Sequence, residues 1–163
     1  MNLLVTGAFA CTESDLNQLR ECGHEVIFMQ QEKSPLPCDA DWVEGIIGNG
    51  IFLSHPIGQF SNLRFIQLTS AGFDRVPMDY IKEHGIEIHN AGGVYSIPMA
   101  EFAICGVLQL YKQSQFFHKN QSENKWEKHR ELLELYGKTV LIWVAAVLER
   151  NVQSVFRLSV VMF

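Results

Sequence analysis

Short apolar runs alternate with helical or loop segments over residues 1–90. Helices are predicted over Glu13–Glu21 and Pro77–Glu83, and a glycine follows each of them. Strands that alternate with helices on short connections pair in parallel through right-handed crossovers. The pattern therefore predicts an α/β fold with a flavodoxin-like, parallel five-stranded sheet. The five predicted strands are Leu3–Thr6, His24–Met29, Gly45–Gly48, Arg64–Leu68 and Ile86–His89.

A long apolar helix is predicted over Met99–Tyr111. Ser96 can cap its start, and Pro98 is tolerated in the first turn. The segment is apolar on nearly all sides, and such a helix must be covered on more than one face. We expect the sheet to cover one face and a second domain or subunit to cover the other. Cys105 lies within this helix, and we expect it to pack in the core.

Composition and charge exclude several classes of function. The net charge is −5 over 163 residues and the basic residues are interleaved with acidic ones, so no nucleic-acid partner is expected. No segment is long and apolar enough to cross a membrane, and none has metal-ligand spacing. The four cysteines form no Cys-x-x-Cys pair, so we expect free thiols in a cytoplasmic protein.

Two motifs, together with two features further along the chain, carry a family resemblance. The motifs are Leu68–Pro77 (LTSAGFDRVP) and Ile88–Glu101 (IHNAGGVYSIPMAE), and they are followed by Trp126 and by Tyr136–Ile142 (YGKTVLI). In this order and at this spacing they resemble the D-isomer-specific 2-hydroxyacid dehydrogenases, among them the phosphoglycerate dehydrogenases. The resemblance covers about Asn2 to Ile142, the N-terminal part of such an enzyme.

The resemblance implies a division of the chain into domains. Residues 1–95 would form the substrate domain, 96–118 an interdomain crossing helix, and 119–142 the start of an incomplete NAD-binding Rossmann domain, including its first strand. The intact enzyme would move a hydride between nicotinamide and a small D-2-hydroxy or 2-oxo acid. The implied cofactor is NAD, with NADP as an alternative. The helix of residues 99–111 would also form the contact of a homodimer.

The resemblance also implies site residues. The loop Ser70, Ala71 and Gly72 would hold the substrate carboxylate through its backbone amides, since successive amides form an anion nest. Asn90, Gly92 and Gly93 would form the turn at the interdomain cleft. The family's catalytic Arg, His and acidic residue follow the nucleotide loop, so none is expected in this chain. The chain alone is expected to be inactive.

The character of the sequence changes at Trp143. Lys138–Ile142 reads as a strand that normally leads into a glycine-rich nucleotide loop, but residues 143–163 contain no glycine. If the codons are read one base earlier, the last base of the Trp143 codon joins the first two of Val144 and encodes glycine. The next positions permit Cys-Gly-Ser-Val-Gly. We therefore interpret 143–163 as an out-of-frame tail of a truncated dehydrogenase.

Other readings of the sequence stay open. The tail from Val144 to Phe163 could instead be an amphipathic helix of a natural short protein. The chain could be a stand-alone flavodoxin-like binding or regulatory module, although Thr6-Gly7-Ala8 offers no acidic cluster at the end of the first strand. It could also be a non-functional product, prone to aggregate through the apolar faces of the Met99–Tyr111 helix.

The out-of-frame interpretation predicts the nucleotide sequence. The bases that encode Trp143–Phe163, and those that follow, should spell a glycine-rich turn, a helix and a second strand in the shifted frame. Sequencing the gene and its transcript checks this. An uninterrupted frame whose shifted reading encodes no such unit would contradict it.

Overall fold

A five-stranded parallel sheet forms the centre of the first part of the chain. The computed structural model describes residues 1–146 and 155–162. The strand order is β2-β1-β3-β4-β5 and every pairing is parallel, which confirms the predicted flavodoxin-like sheet. The strands are β1 (Asn2–Thr6), β2 (Glu25–Met29), β3 (Gly45–Gly48), β4 (Phe65–Leu68) and β5 (Glu87–His89).

Two α-helices accompany this sheet, α1 (Glu13–Glu21) and α2 (Met78–Glu83). A capping box starts α1: the Asp15 amide donates to the Thr12 hydroxyl at 3.3 Å, and the Thr12 amide donates to the Asp15 carboxylate at 2.8 Å. The Asp15 carboxylate also accepts from the Thr12 hydroxyl at 2.7 Å, and this bond, together with the one from the Thr12 amide, lowers the pKa of Asp15. Short 3-10 helices replace α-helices in the connections on either side of β3, at Ala40–Trp42, Ile51–Leu53 and Ile57–Gln59.

The core follows from the strand register. Leu4 pairs with Ile46, Ile46 with Ile66, and Ile66 with Ile88, so one apolar row crosses four strands. The first three of these residues are at most 1% exposed. Leu3 and Val5 point to the opposite face, where they pack with Leu16 of α1. Both faces of the sheet are therefore buried, as in other parallel sheets.

The chain divides into two compact units, Met1–Ser96 and Ile97–Phe163. The second begins within α3 (Ser96–Tyr111), and α4 (Ser114–Ser122) follows. The predicted crossing helix over 96–118 is therefore two helices. They are separated at Gln113, whose φ of 50° is left-handed and cannot continue an α-helix. We expected Ser96 to cap the start of the helix, but Ser96 is the first residue of α3 itself.

No residue of α3 is buried, although the helix is apolar on nearly all sides. Phe102 is 82% exposed and Leu110 73%. Cys105 is also exposed, so the expectation that Cys105 packs in a core is wrong. A helix of this composition needs a covering surface, and the described residues of its own unit leave these side chains exposed.

The second unit also contains two strands, β6 (Thr139–Ala146) and β7 (Val155–Met162), which pair antiparallel. The prediction of a strand that begins near Lys138 agrees with β6. A parallel Rossmann pairing is not formed, because the connection 147–154 is shorter than the roughly one dozen residues that a crossover needs. The alternative of one helix over Val144–Phe163 is wrong for the described residues 144–146 and 155–162; residues 147–154 and 163 lie outside the description.

The core assignment predicts that two leucine-to-alanine substitutions differ strongly in their effect on the free energy of unfolding. Leu4→Ala removes a fully buried side chain and should lower the free energy of unfolding by about 2–5 kcal/mol. Leu53→Ala is the matched control: Leu53 is 69% exposed, so the change should stay within about 0.5 kcal/mol. Urea unfolding followed by circular dichroism measures both. Equal effects would show that the apolar row across the strands is not the core.

Candidate functional site

Two loops meet at the carboxyl ends of β4 and β5. The amide loop (Ser70, Ala71 and Gly72) follows β4, and the cleft turn (Asn90–Gly93) follows β5. Because the two strands are parallel neighbours, both loops leave the same edge of the sheet. The Ala91 amide donates to the Ser70 carbonyl at 2.9 Å, and Asn90 Nδ2 donates to the Ala71 carbonyl at 2.7 Å. The structure thus brings together the two sequence-predicted segments.

The amide loop is held through its oxygens and leaves its amides open. Its carbonyls accept from the cleft turn, as above, and from the Ser70 hydroxyl, which donates to the Gly72 carbonyl at 3.1 Å. In the part of the chain that the structure describes, no oxygen accepts a hydrogen bond from the amides of Ser70, Ala71 or Gly72. Three successive amide donors without an acceptor are groups that can bind an anion.

Gly72 leaves the backbone of this loop uncovered. A Cβ at position 72 would lie 2.7 Å from Asp74 Oδ1, so the exposed Asp74 side chain would have to move to admit it. Asp74 is exposed and its nearest cation is Arg75, at 3.8 Å. A residue without a side chain keeps the backbone of the loop accessible to a ligand.

The cleft turn is organised by its first residue. Asn90 donates through Nδ2 to Ala71 and accepts through Oδ1 from the Gly92 amide at 3.1 Å. Gly93 has a φ of 87°, a conformation that side chains strongly disfavour. Tyr95 donates its hydroxyl to the Thr69 carbonyl at 2.9 Å and adds a further tie to the end of β4. The turn therefore braces the amide loop from one side.

Among the described residues, no histidine forms a hydrogen bond with this loop. His89 precedes the cleft turn, but its ring pairs with Glu87 at 2.7 Å on the edge strand, and both side chains are exposed. His84 stacks on Tyr80 with ring centroids 3.7 Å apart, which is a surface contact on α2. Both interactions are explained by local structure, and we assign no catalytic role to either histidine.

A glutamate that sequence reasoning missed fastens the neighbouring strand ends. The Glu32 carboxylate accepts from the Thr6 hydroxyl at 2.8 Å and from the amides of Asn49 at 2.7 Å and Gly50 at 2.8 Å. It thereby links the residues that follow β2 to the ends of β1 and β3. A Cβ at Gly48 would lie 2.7 Å from Glu32 Oε1, so glycine there makes room for the carboxylate.

The thiols in the described part of the chain offer no nucleophilic centre. Burial raises the pKa of the Cys11 thiol, and the carboxylates of Asp15 and Glu13 raise it further. Burial also raises the pKa of Cys38, with Asp39 adding to the effect. Protonated thiols are poor nucleophiles. All four cysteines are free, and among the described residues no cluster of His, Cys, Asp or Glu could hold a metal ion.

No helix among the described residues has the length and hydrophobicity to cross a membrane.

Comparison with known proteins identifies the fold and a family. The family model for the D-isomer specific 2-hydroxyacid dehydrogenase catalytic domain matches residues 6–159, and so extends into the tail after Ile142. No curated protein sequence matches the chain.

Three solved structures resemble the chain in fold. D-lactate dehydrogenase from Aquifex aeolicus, complexed with NAD and lactic acid, has a TM-score of 0.68 and 21% identity, over 82% of this chain and 41% of that one. An NADPH-dependent glyoxylate/hydroxypyruvate reductase from Sinorhizobium meliloti, in complex with citrate, has a TM-score of 0.66 and 20% identity. The match covers 83% of this chain and 44% of that one. NAD-dependent formate dehydrogenase from Staphylococcus aureus, in complex with NAD, has a TM-score of 0.62 and 20% identity. The match covers 78% of this chain and 43% of that one. The chain spans less than half the length of each.

The contacts of Glu32 predict a specific loss of stability. Glu32→Gln replaces one acceptor oxygen by an NH₂ donor that faces amide or hydroxyl donors. The free energy of unfolding should therefore fall by about 1–3 kcal/mol. Hydrogen exchange at Asn49 and Gly50 should accelerate more than in the β1–β3 ladder. Glu83→Gln, an exposed glutamate on α2, is the matched control and should stay within about 0.5 kcal/mol. Unchanged exchange at Asn49 and Gly50 would contradict the assignment.

Proposed function

Because the chain belongs to the D-isomer specific 2-hydroxyacid dehydrogenase family, we propose that its first unit binds the substrate of a nicotinamide-dependent oxidoreductase. The substrate class is a small D-2-hydroxy acid, or the 2-oxo acid in the reverse direction. The observation that carries the proposal is the amide loop, whose three amides are open while its carbonyls are held. Such a loop suits the carboxylate that all members of this substrate class share.

Binding and orientation are the tasks we assign to this chain. The carboxylate would accept hydrogen bonds from the amides of Ser70, Ala71 and Gly72, and the cleft turn would hold these donors in place through Asn90. Fixing the carboxylate fixes the adjacent C2 atom, which carries the hydroxyl and the hydrogen that an oxidation removes. Orientation of this kind lowers the entropic part of a reaction barrier.

The residues of this chain do not fit a dinucleotide. The named relatives are complexed with NAD or depend on NADPH, which supports nicotinamide use by the family. A pyrophosphate site needs a glycine-rich turn directly after the first Rossmann strand. After Ile142 this chain continues with Trp143–Ala146, which contains no glycine and remains in the strand β6. We therefore assign no cofactor contact to these residues.

The domain division follows as part of the proposal. Residues 1–95 would be the substrate domain, 96–118 the crossing segment, 119–142 the approach to the cofactor domain, and 143–163 an out-of-frame tail. The absence of glycine after Ile142 supports the last assignment. The exposed apolar side chains of α3 support a role for that helix as a homodimer contact.

If the backbone amides of the loop bind the substrate, removing one amide should weaken binding, whereas changing a side chain of the loop should not. Ala71→Pro removes one amide donor and should weaken the binding of D-lactate by about tenfold or more, since a hydrogen bond to a charged group contributes about 1.5–3 kcal/mol. Ala71→Ser keeps the amide and is the control, with affinity near that of the original chain. A titration followed through ¹⁵N amide shifts measures both.

The titration of the unsubstituted chain decides the proposal. We expect D-lactate to move the amide signals of Ser70, Ala71 and Gly72. If no 2-hydroxy acid moves these signals, or if Ala71→Pro and Ala71→Ser bind equally well, the proposed function is wrong.

A further inference from the structure

A cavity opens at the carboxyl ends of the first three strands. Its volume is about 490 Å³, and residues that follow β1, β2 and β3 line it, together with Arg75 from the segment after β4. The strand order reverses here, because the chain passes from β1 to β2 on one side and then to β3 on the other. In open α/β sheets the crevice at such a reversal is the usual place for a ligand.

The polar lining of this switch-point cavity has a surplus of donors. Glu32 is the acidic residue in its lining, and its carboxylate already accepts three hydrogen bonds from Thr6, Asn49 and Gly50. The Lys33 ammonium forms no ion pair with the described residues. The lining therefore offers positive charge that its one carboxylate, occupied by other donors, does not neutralise.

Arg75 provides the second positive charge. Its nearest carboxylate, Asp74, lies 3.8 Å away, and the two side chains are 52% and 78% exposed, so this pair is weak. The aliphatic part of the Arg75 side chain lies beside Gly50, where a Cβ would be 3.9 Å from Arg75 Cδ. The guanidinium is thus carried along the cavity wall. Its planar donors suit a carboxylate or a phosphate.

The cavity and the amide loop are close along the chain. Arg75 follows Gly72 by three residues, so their Cα atoms are at most about 11 Å apart. The Thr69 amide, directly before the amide loop, donates to the Gly48 carbonyl at 2.9 Å, next to the residues that Glu32 holds. The two places are therefore near enough to be considered as parts of one binding site.

We propose that the switch-point cavity binds a second acidic group of the substrate, a carboxylate or a phosphate distal to the C1 carboxylate. This inference rests on the proposed function and narrows its substrate class to 2-hydroxy acids with two anionic ends. Arg75 is the principal ligand of the distal group, and Lys33 adds a second charge. Glu32 keeps the wall formed by Asn49 and Gly50 in position.

The test compares acids with one and two anionic groups on the full chain. D-lactate, D-malate and D-3-phosphoglycerate are titrated while ¹⁵N amide shifts are recorded. At least one of the two dianionic acids should bind about tenfold or more tightly than D-lactate, and should move the signals of Gly50 and Arg75 as well as those of the amide loop. The malate and phosphoglycerate arms distinguish a site for carboxylate from one for phosphate.

Variants of the arginine identify the ligand. Arg75→Gln should remove most of the preference for the dianionic acid over D-lactate, whereas Arg75→Lys should keep part of that preference. Arg64→Gln is the matched control: Arg64 precedes β4, at the opposite end of the strand, and pairs with Glu44 at 2.9 Å. The dispersion of the amide spectrum verifies that each variant is folded.

The possible results distinguish a failure of this inference from a failure of the proposed function. If all three acids move the amide-loop signals with equal affinity, or if Arg75→Gln keeps the full preference, the inference is wrong and the proposed function stands. If no acid moves the amide-loop signals, the proposed function is wrong. If a dianionic acid moves only Gly50 and Arg75, both are wrong, because one molecule does not then bridge the two places.

Discussion

The lateral contact between the ends of β4 and β5 is the constraint on which the site depends. Two hydrogen bonds, from the Ala91 amide to Ser70 and from Asn90 Nδ2 to Ala71, use the carbonyl oxygens of the amide loop. The carbonyls of the loop are thereby occupied, whereas its amides have no acceptor among the described residues. Under the proposed function, the carboxylate site would then consist of backbone amides, without a charged side chain.

This contact is possible only because the sheet beneath it is rigid. The row from Leu4 through Ile46 to Ile66 is almost entirely buried and fixes the relative heights of adjacent strands. A shift of one residue would move each of these side chains to the other face. The strand ends, and the loops that leave them, are therefore held in register. Glu32 adds a polar tie at the same edge, across β1 and β3.

The sequence was sufficient to predict the sheet, because apolar runs and helix-ending glycines are local signals. It also located the amide loop and the cleft turn, whose short motifs are contiguous. Glu32 was not predictable in this way, since its partners lie 26, 17 and 18 residues away and its own segment reads as a polar loop. Only the folded chain shows that the carboxylate has a place among them.

The second unit was predicted less well, for a related reason. Gln113 takes a left-handed conformation without the glycine or asparagine that usually signals one, so the division between α3 and α4 was missed. Cys105 was assigned to a core because apolar neighbours surround it in the sequence. An apolar helix surface indicates that the helix packs against something. The sequence of the helix does not indicate which part of an assembly packs there.

The most direct measurement is a crystal structure of the full chain with D-lactate bound. The account predicts the carboxylate within about 2.7–3.2 Å of the amide nitrogens of Ala71 and Gly72. It also predicts that the hydrogen bond from Asn90 to Ala71 is retained. A carboxylate bound elsewhere, with the amide loop empty or turned so that its carbonyls face the ligand, would contradict the account.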